Sequence, residues 1–226
     1  MWYNLVVNRN VTFAPGEFYH IYNRGVEKRN VFLDRADYRR FQVLLYLANS
    51  VKAVHIADRS RYNTSLNWFE KERGDSLVDI VAYCIMPNHF HILVREKDDG
   101  GVSKFVQKLS TGYTMYFNKR YERTGALFQG KFKATHANDD NYLKYLFSYI
   151  HLNPVKLIQS DWKERGIKNF SKAESYLSSY VYSSLLDHRA TKRTEKCIVN
   201  LEAAPSYFAD IKSMNNELKE WLKFTT

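Results

Sequence analysis

The chain has 226 residues, 45% of them hydrophobic and 15% aromatic, which is enough for a packed core and excludes a disordered chain. Lys+Arg 34 against Asp+Glu 24 gives a formal charge of +10, a balance that favours nucleic acid first and an anionic membrane surface second. Two cysteines make neither a disulfide framework nor a paired zinc site, and no apolar run has the length of a bilayer span or the pattern of a signal peptide, so a reducing cytoplasm is the expected setting.

Residues 17–23 are rich in aromatic and β-branched side chains and read as a first strand, which Arg24-Gly25 breaks. Asp34 is placed to cap a helix from Arg35 to about Asn49, with Phe41, Leu44 and Leu45 on one face. Residues 50–77 are mixed and charged and read as a long connection or a small insertion. Leu77 to Cys84 and His89 to Arg95 predict two strands joined through Met86-Pro87-Asn88, with Pro87 at the bend because it has no N–H for a ladder. A helix follows Gly100-Gly101 as far as about Arg123, and Gly125 is expected to stop it. Leu127 to His136 reads as a glycine-kinked strand. Asn138 is expected to cap a further helix that runs to about Leu152 and stops at Pro154. The order strand, helix, strand, strand, helix, strand, helix is that of an α+β fold, an antiparallel sheet with helices packed on it.

Beyond Lys156 the pattern weakens. Ser178 to Ser184 reads as a connector, His188 to Lys196 as a solvated basic loop, and Asn215 to Phe224 as a short amphipathic helix. The expected division is a domain at 1–160 and a mostly helical C-terminal extension at 161–226.

The chemistry-bearing stretch is His89-Phe90-His91. On a strand, both imidazoles project from one face, roughly 6–7 Å apart, where they can share a divalent cation. On the last helix, Tyr142, Leu146, Tyr149 and Asn153 recur at spacings of four and three and share one face. A helix face packed on the sheet would bring Tyr149 and Asn153 to the histidines. A phenol beside a cation held by two imidazoles and an amide oxygen can attack a phosphodiester, leaving a 5′-phosphotyrosine and a free 3′-hydroxyl. The carboxamide suits Mg²⁺ or Mn²⁺. A free phenol has a pKa of about 10, and the sequence shows no dedicated base to activate it. Asn153 precedes Pro154, which is expected to push it out of helical geometry. His20 and His136 lie on predicted strands that could bring them near the site, with structural roles the first expectation, and His151, about 200° round the helix from Tyr149, is expected to point away. Arg24, Arg29, Lys131 and Lys133 are interleaved with aromatics and suit a single strand of nucleic acid.

Met86 to His91 resembles the His-hydrophobic-His signature of single-tyrosine HUH transposases. With His20 to Gly25, Gly125 to Lys133 and Tyr149 to Lys156, the chain resembles the REP-associated branch of that superfamily from about residue 15 to 160. The resemblance implies a ferredoxin-like, RRM-like sheet with the two histidines on a central strand. It also implies a divalent cation, Mg²⁺ or Mn²⁺, and cleavage and rejoining of single-stranded DNA beside palindromic hairpins. Carried over by position, His89 and His91 are metal ligands, Tyr149 is the nucleophile and Asn153 completes the metal site. The branch with its extra tail implies a monomer, although the superfamily also contains dimers that share active sites. Two other readings stay open: a catalytically silent or domesticated hairpin-binding protein of this fold, and a metal-free RNA-binding module whose aromatics stack on bases.

Overall fold

The computed structural model describes residues 11–53 and 68–208, together with Asn216, Leu218 and Glu220. The described residues form four strands, β1 (Phe18–Arg24), β2 (Val78–Met86), β3 (His89–Glu96) and β4 (Lys133–His136), in the order β2-β3-β1-β4. All neighbours are antiparallel. Helix α1 (Arg35–Leu47) links β1 to β2, α2 (Gly101–Arg120) links β3 to β4, and α3 (Asp140–Leu152) follows β4. This is the α+β sheet that the sequence pattern and the ferredoxin-like resemblance both call for.

Alternation along the central strands decides which helices cover which face. Tyr19 and Ile21 of β1 and Phe90 and Ile92 of β3 belong to one core with Phe41 and Leu45 of α1 and Phe105 and Leu109 of α2. The opposite face, with Ala82, Cys84 and Leu93, belongs to a second core with Leu146 and Ile150 of α3. Cys84 is free and fully enclosed there. The Asp34 carboxylate accepts hydrogen bonds from the amides of Ala36 and Asp37, which starts α1 where expected.

Several boundaries differ from the sequence reading. The strand expected over 127–136 is ordered only from Lys133. Upstream of it Gly130 adopts φ +64°, outside extended geometry, and Phe128 makes a single bridge to Gly25. Asp139, not Asn138, caps α3 by accepting from the Tyr142 amide. Helix α2 ends at Arg120, and Glu122 in the left-handed region breaks the chain before Gly125 is reached. Most of the connection at 50–77 (residues 54–67) and most of the helix expected at 215–224 lie outside the described residues.

After α3 the chain forms a 3-10 turn (Asn153–Leu157), then α4 (Trp162–Arg165), α5 (Phe170–Ser179) and α6 (Leu185–His188). Trp162, Ile167, Leu177 and Leu185 join the second core, so this segment is packed on α3 and the sheet. Along the outer side of β2, the Ile85 amide donates to the Tyr182 carbonyl, Ser184 to Tyr83, and Asn200 to Ile80. The basic run at 188–196 is solvated only in part, with Lys192 and Lys196 exposed. His188 is buried against the Val81 carbonyl, and Arg193 pairs with the buried Asp187 while also donating to Ser183 O at 2.7 Å. Tertiary partners draw His188 and Arg193 inward. Among the described residues no helix is long and apolar enough to cross a membrane.

Candidate active site

The register of β1 on β3 pairs Tyr22 with His91 and Arg24 with His89. Period-two alternation then puts His20, Tyr22, His89 and His91 on the face that α3 covers. Tyr149 comes down on this patch. Its ring lies 5.3 Å from the His91 ring and 6.2 Å from the His20 ring, edge-on to both. Above it Tyr145 and Tyr142 continue a stacked ladder along α3, at 5.9 and 6.0 Å. Asn153 lies one turn further on, beside both His89 and Tyr149, and acts on the protonation of each. The structure therefore brings His89, His91, Tyr149 and Asn153 together. Asn153 keeps helical angles (φ −53°, ψ −38°) despite its position before Pro154, contrary to the sequence expectation. Pro154 is the second residue of the 3-10 turn, where its missing N–H costs nothing.

Both imidazoles are oriented by the same device. His91 Nδ1 lies 2.9 Å from His20 Nε2, and its own Nε2 is buried without a hydrogen-bond partner. His89 Nδ1 lies 2.6 Å from Asn88 Oδ1. The Asn88 amide is turned that way because its Nδ2 donates to the Lys28 carbonyl at 3.0 Å. With Nδ1–H engaged, His89 keeps its Nε2 lone pair for another partner. Burial, then Arg24, holds His89 down to about 4; burial holds His20 down to about 3 and, helped by His89, keeps His91 well below 6.5. All three are neutral at neutral pH, the form a cation requires of imidazole.

The donor set is two neutral imidazoles and a carboxamide oxygen, and the buried His91 Nε2 lacks a hydrogen-bond partner. Among the described residues no group of three or more His, Cys, Asp and Glu side chains forms a cation cage. An open site of this kind fits a cation whose remaining positions go to water and phosphate oxygens. Burial raises the Tyr149 phenol above 10, opposed first by Asn153 and then by Lys156. It is protonated at neutral pH.

Of the basic residues, Arg24, Lys131 and Lys133 are exposed at the end of the sheet that carries His89, and among the described residues they form no ion pair. Arg29 is engaged by Glu27 at 2.8 Å. His151 points away as expected, with Nε2 at 2.8 Å from Ser184 Oγ, and His136 pairs with Glu17. Sequence reasoning missed two contributors. His20 reads from the sequence as a structural residue near the site at most, and only the pairing of β1 with β3 reveals its contact with His91. Lys163, from α4, sets its Nζ 3.8 Å from the centroid of the Tyr149 ring, and no local motif announces it.

Fold and site together define a class. The family model described as transposase, IS200 like, matches residues 19–153, and the chain belongs to that family. The resemblance read from its motifs agrees. More narrowly, a Haemophilus influenzae protein named as a REP-associated tyrosine transposase is 31% identical over 113 residues, covering 43% of this chain and 64% of that protein, just under two thirds of its length. A solved REP-associated tyrosine transposase bound to a REP hairpin superposes with TM-score 0.52 over 83% of this chain and 89% of its own, at 14% identity, a likeness of fold. The tRNA(His) guanylyltransferase of Saccharomyces cerevisiae aligns over 89% of this chain and 86% of its own at 10% identity, with TM-score 0.36.

Proposed function

We propose that the chain is a metal-dependent DNA transesterase, a transposase that nicks and rejoins single-stranded DNA next to palindromic hairpins. The observation that carries this reading is the Tyr149 ring edge-on to His91 on one face of the sheet, with Asn153 beside it. His89, His91 and Asn153 would hold Mg²⁺ or Mn²⁺. When bound, the cation draws electron density from the scissile phosphate and offsets the charge that grows on it. The Tyr149 oxygen attacks phosphorus and its proton passes to water. The P–O3′ bond breaks, the departing 3′-oxygen takes a proton from water, and a 5′-phosphotyrosine remains. Attack by the 3′-hydroxyl of another strand reverses the step and frees Tyr149. Arg24, Lys131 and Lys133, with Arg29 beside them, would track the DNA backbone. The unit at 1–160 carries the nucleophile and the metal ligands, the described part of the 161–226 extension is packed on it, and the chain works as a monomer in the cytoplasm.

A second reading is a silent hairpin-binding protein of this fold. The observation in its favour is enclosure: Tyr149, His91 and Asn153 are only 9%, 5% and 2% exposed. A labelled hairpin with single-stranded flanks, incubated with Mg²⁺ or Mn²⁺ and run on a denaturing gel, separates the two. A covalent adduct that Tyr149→Phe abolishes supports the transesterase. Binding without an adduct in either protein supports the second reading.

A further inference from the structure

The family match ends at residue 153, yet a side chain that comes later, Lys163, lies against the Tyr149 ring. We propose that Lys163 is a phosphate-binding residue of this site, its ammonium pairing with a non-bridging oxygen of the scissile phosphate while the phenolic oxygen attacks. This inference rests on the function proposed above.

The position of Lys163 is built, not incidental. Trp162, the first residue of α4, and Ile167, two residues beyond its end, are buried in the core that holds Tyr149. Asp161 ties the segment together through Lys168 at 3.0 Å and Arg165 at 3.7 Å, and Gly166 at φ +68° turns the chain back. From there the half-buried Lys163 lays its ammonium against the face of the Tyr149 ring. Its charge, like that of Lys156, disfavours protonation of His89 and His91, and it does the same to His20. Among the described residues it has no carboxylate in an ion pair. Glu164 acts on it only in opposition to burial, which lowers its pKa to about 8. A partly desolvated cation without an anion favours any anion delivered there, and the phosphodiester brings one. In the reaction the ammonium keeps its proton and offsets charge on the non-bridging oxygens.

The competing explanation is that the aliphatic stem merely covers the ring. Lys163→Met keeps the stem and removes the charge; Lys163→Arg keeps the charge. In single-turnover adduct formation by the full chain on the flanked hairpin with Mg²⁺, Lys163→Met should slow the step roughly 100-fold, the scale for one lost transition-state donor, while Lys163→Arg stays within about tenfold of the parent. A binding series in the Tyr149→Phe background needs no cleavage. There, Lys163→Met should reduce the slope of log affinity against log salt by about 0.7, one single-strand phosphate contact. Parental rates for Lys163→Met with an unchanged slope overturn the proposal. Equal slowing of both variants with a lowered Tm and an unchanged slope assigns the residue to packing and overturns it too. If the parent forms no adduct, the transesterase reading fails, and the salt slope still decides whether Lys163 meets a phosphate.

Discussion

His20 Nε2 lies 2.9 Å from His91 Nδ1, across the β1–β3 pair, so that a residue outside the proposed donor set fixes the ring of one inside it. Removing His20 leaves His91 Nδ1 buried with nothing to bond and its ring free to turn. His20→Ala should weaken Mn²⁺ binding by about 10- to 100-fold, the usual scale for losing such a supporting contact. Asn88→Ala should do the same through His89. Calorimetric or EPR titration with Mn²⁺ reads both, and parental affinity in His20→Ala would refute the supporting role.

Chelation gives a coarser check. With EDTA, or in His89→Ala and His91→Ala, adduct formation should drop more than about 100-fold, and added Mn²⁺ should restore the parent protein only. A chelated protein that still forms the adduct at the normal rate would show that no cation is needed.

Stability should fall steeply in mild acid. His20, His89 and His188 are held near 3, 4 and 4, and His91 and His151 well below 6.5, burial being the main cause in each. An unfolded histidine takes up its proton near 6.5, so below that pH the unfolded chain binds more protons than the folded one. Stabilisation present above 6.5 is lost as pH falls towards 4, by up to about 1.4 kcal/mol per pH unit for each such imidazole. Urea midpoints should drop sharply from pH 7 to pH 5. A flat profile would mean that these rings are not buried neutral.

Gly25 is needed for close approach. A Cβ there would meet the Arg29 carbonyl oxygen and come within 2.7 Å of Val31 Cγ1. The same loop is pinned to the turn that carries His89, through Gly25 N to Asn88 O and Val31 N to Pro87 O, both 2.8 Å. Gly25→Ala should cost about 1–3 kcal/mol and also weaken Mn²⁺ binding. Chemical denaturation together with the Mn²⁺ titration checks both halves.

DNA affinity should fall steeply with salt, and Arg24→Ala, Lys131→Ala and Lys133→Ala should each flatten the log–log slope by about 0.7. A salt-independent affinity would exclude a groove that follows the backbone.

Local periodicity carries most of this site. Alternation puts His89 and His91 on one face, and the four-residue step from Tyr149 to Asn153 sets them together on a helix packed over that face. His20 depends on strand register, which no single strand reveals. Lys163 depends on how a weakly patterned tail turns after Pro154. The α3 cap was ambiguous because Asn138 and Asp139 are both good cap formers, so local chemistry could not choose between them. The basic run at 188–196 misled for a related reason: Arg193 looks solvated until Asp187 and the Ser183 carbonyl are placed beside it.

The row of amide and carbonyl bonds that Tyr182, Ser184 and Asn200 make along β2 has a cost for anyone who shortens the chain. An outermost strand with bare backbone groups is a template on which another molecule can extend the sheet. Here the protein's own tail occupies that template. A fragment ending at residue 160 would expose it, along with the greasy surface beneath α5, and should precipitate or self-associate even if every residue of the reaction centre up to Asn153 were intact.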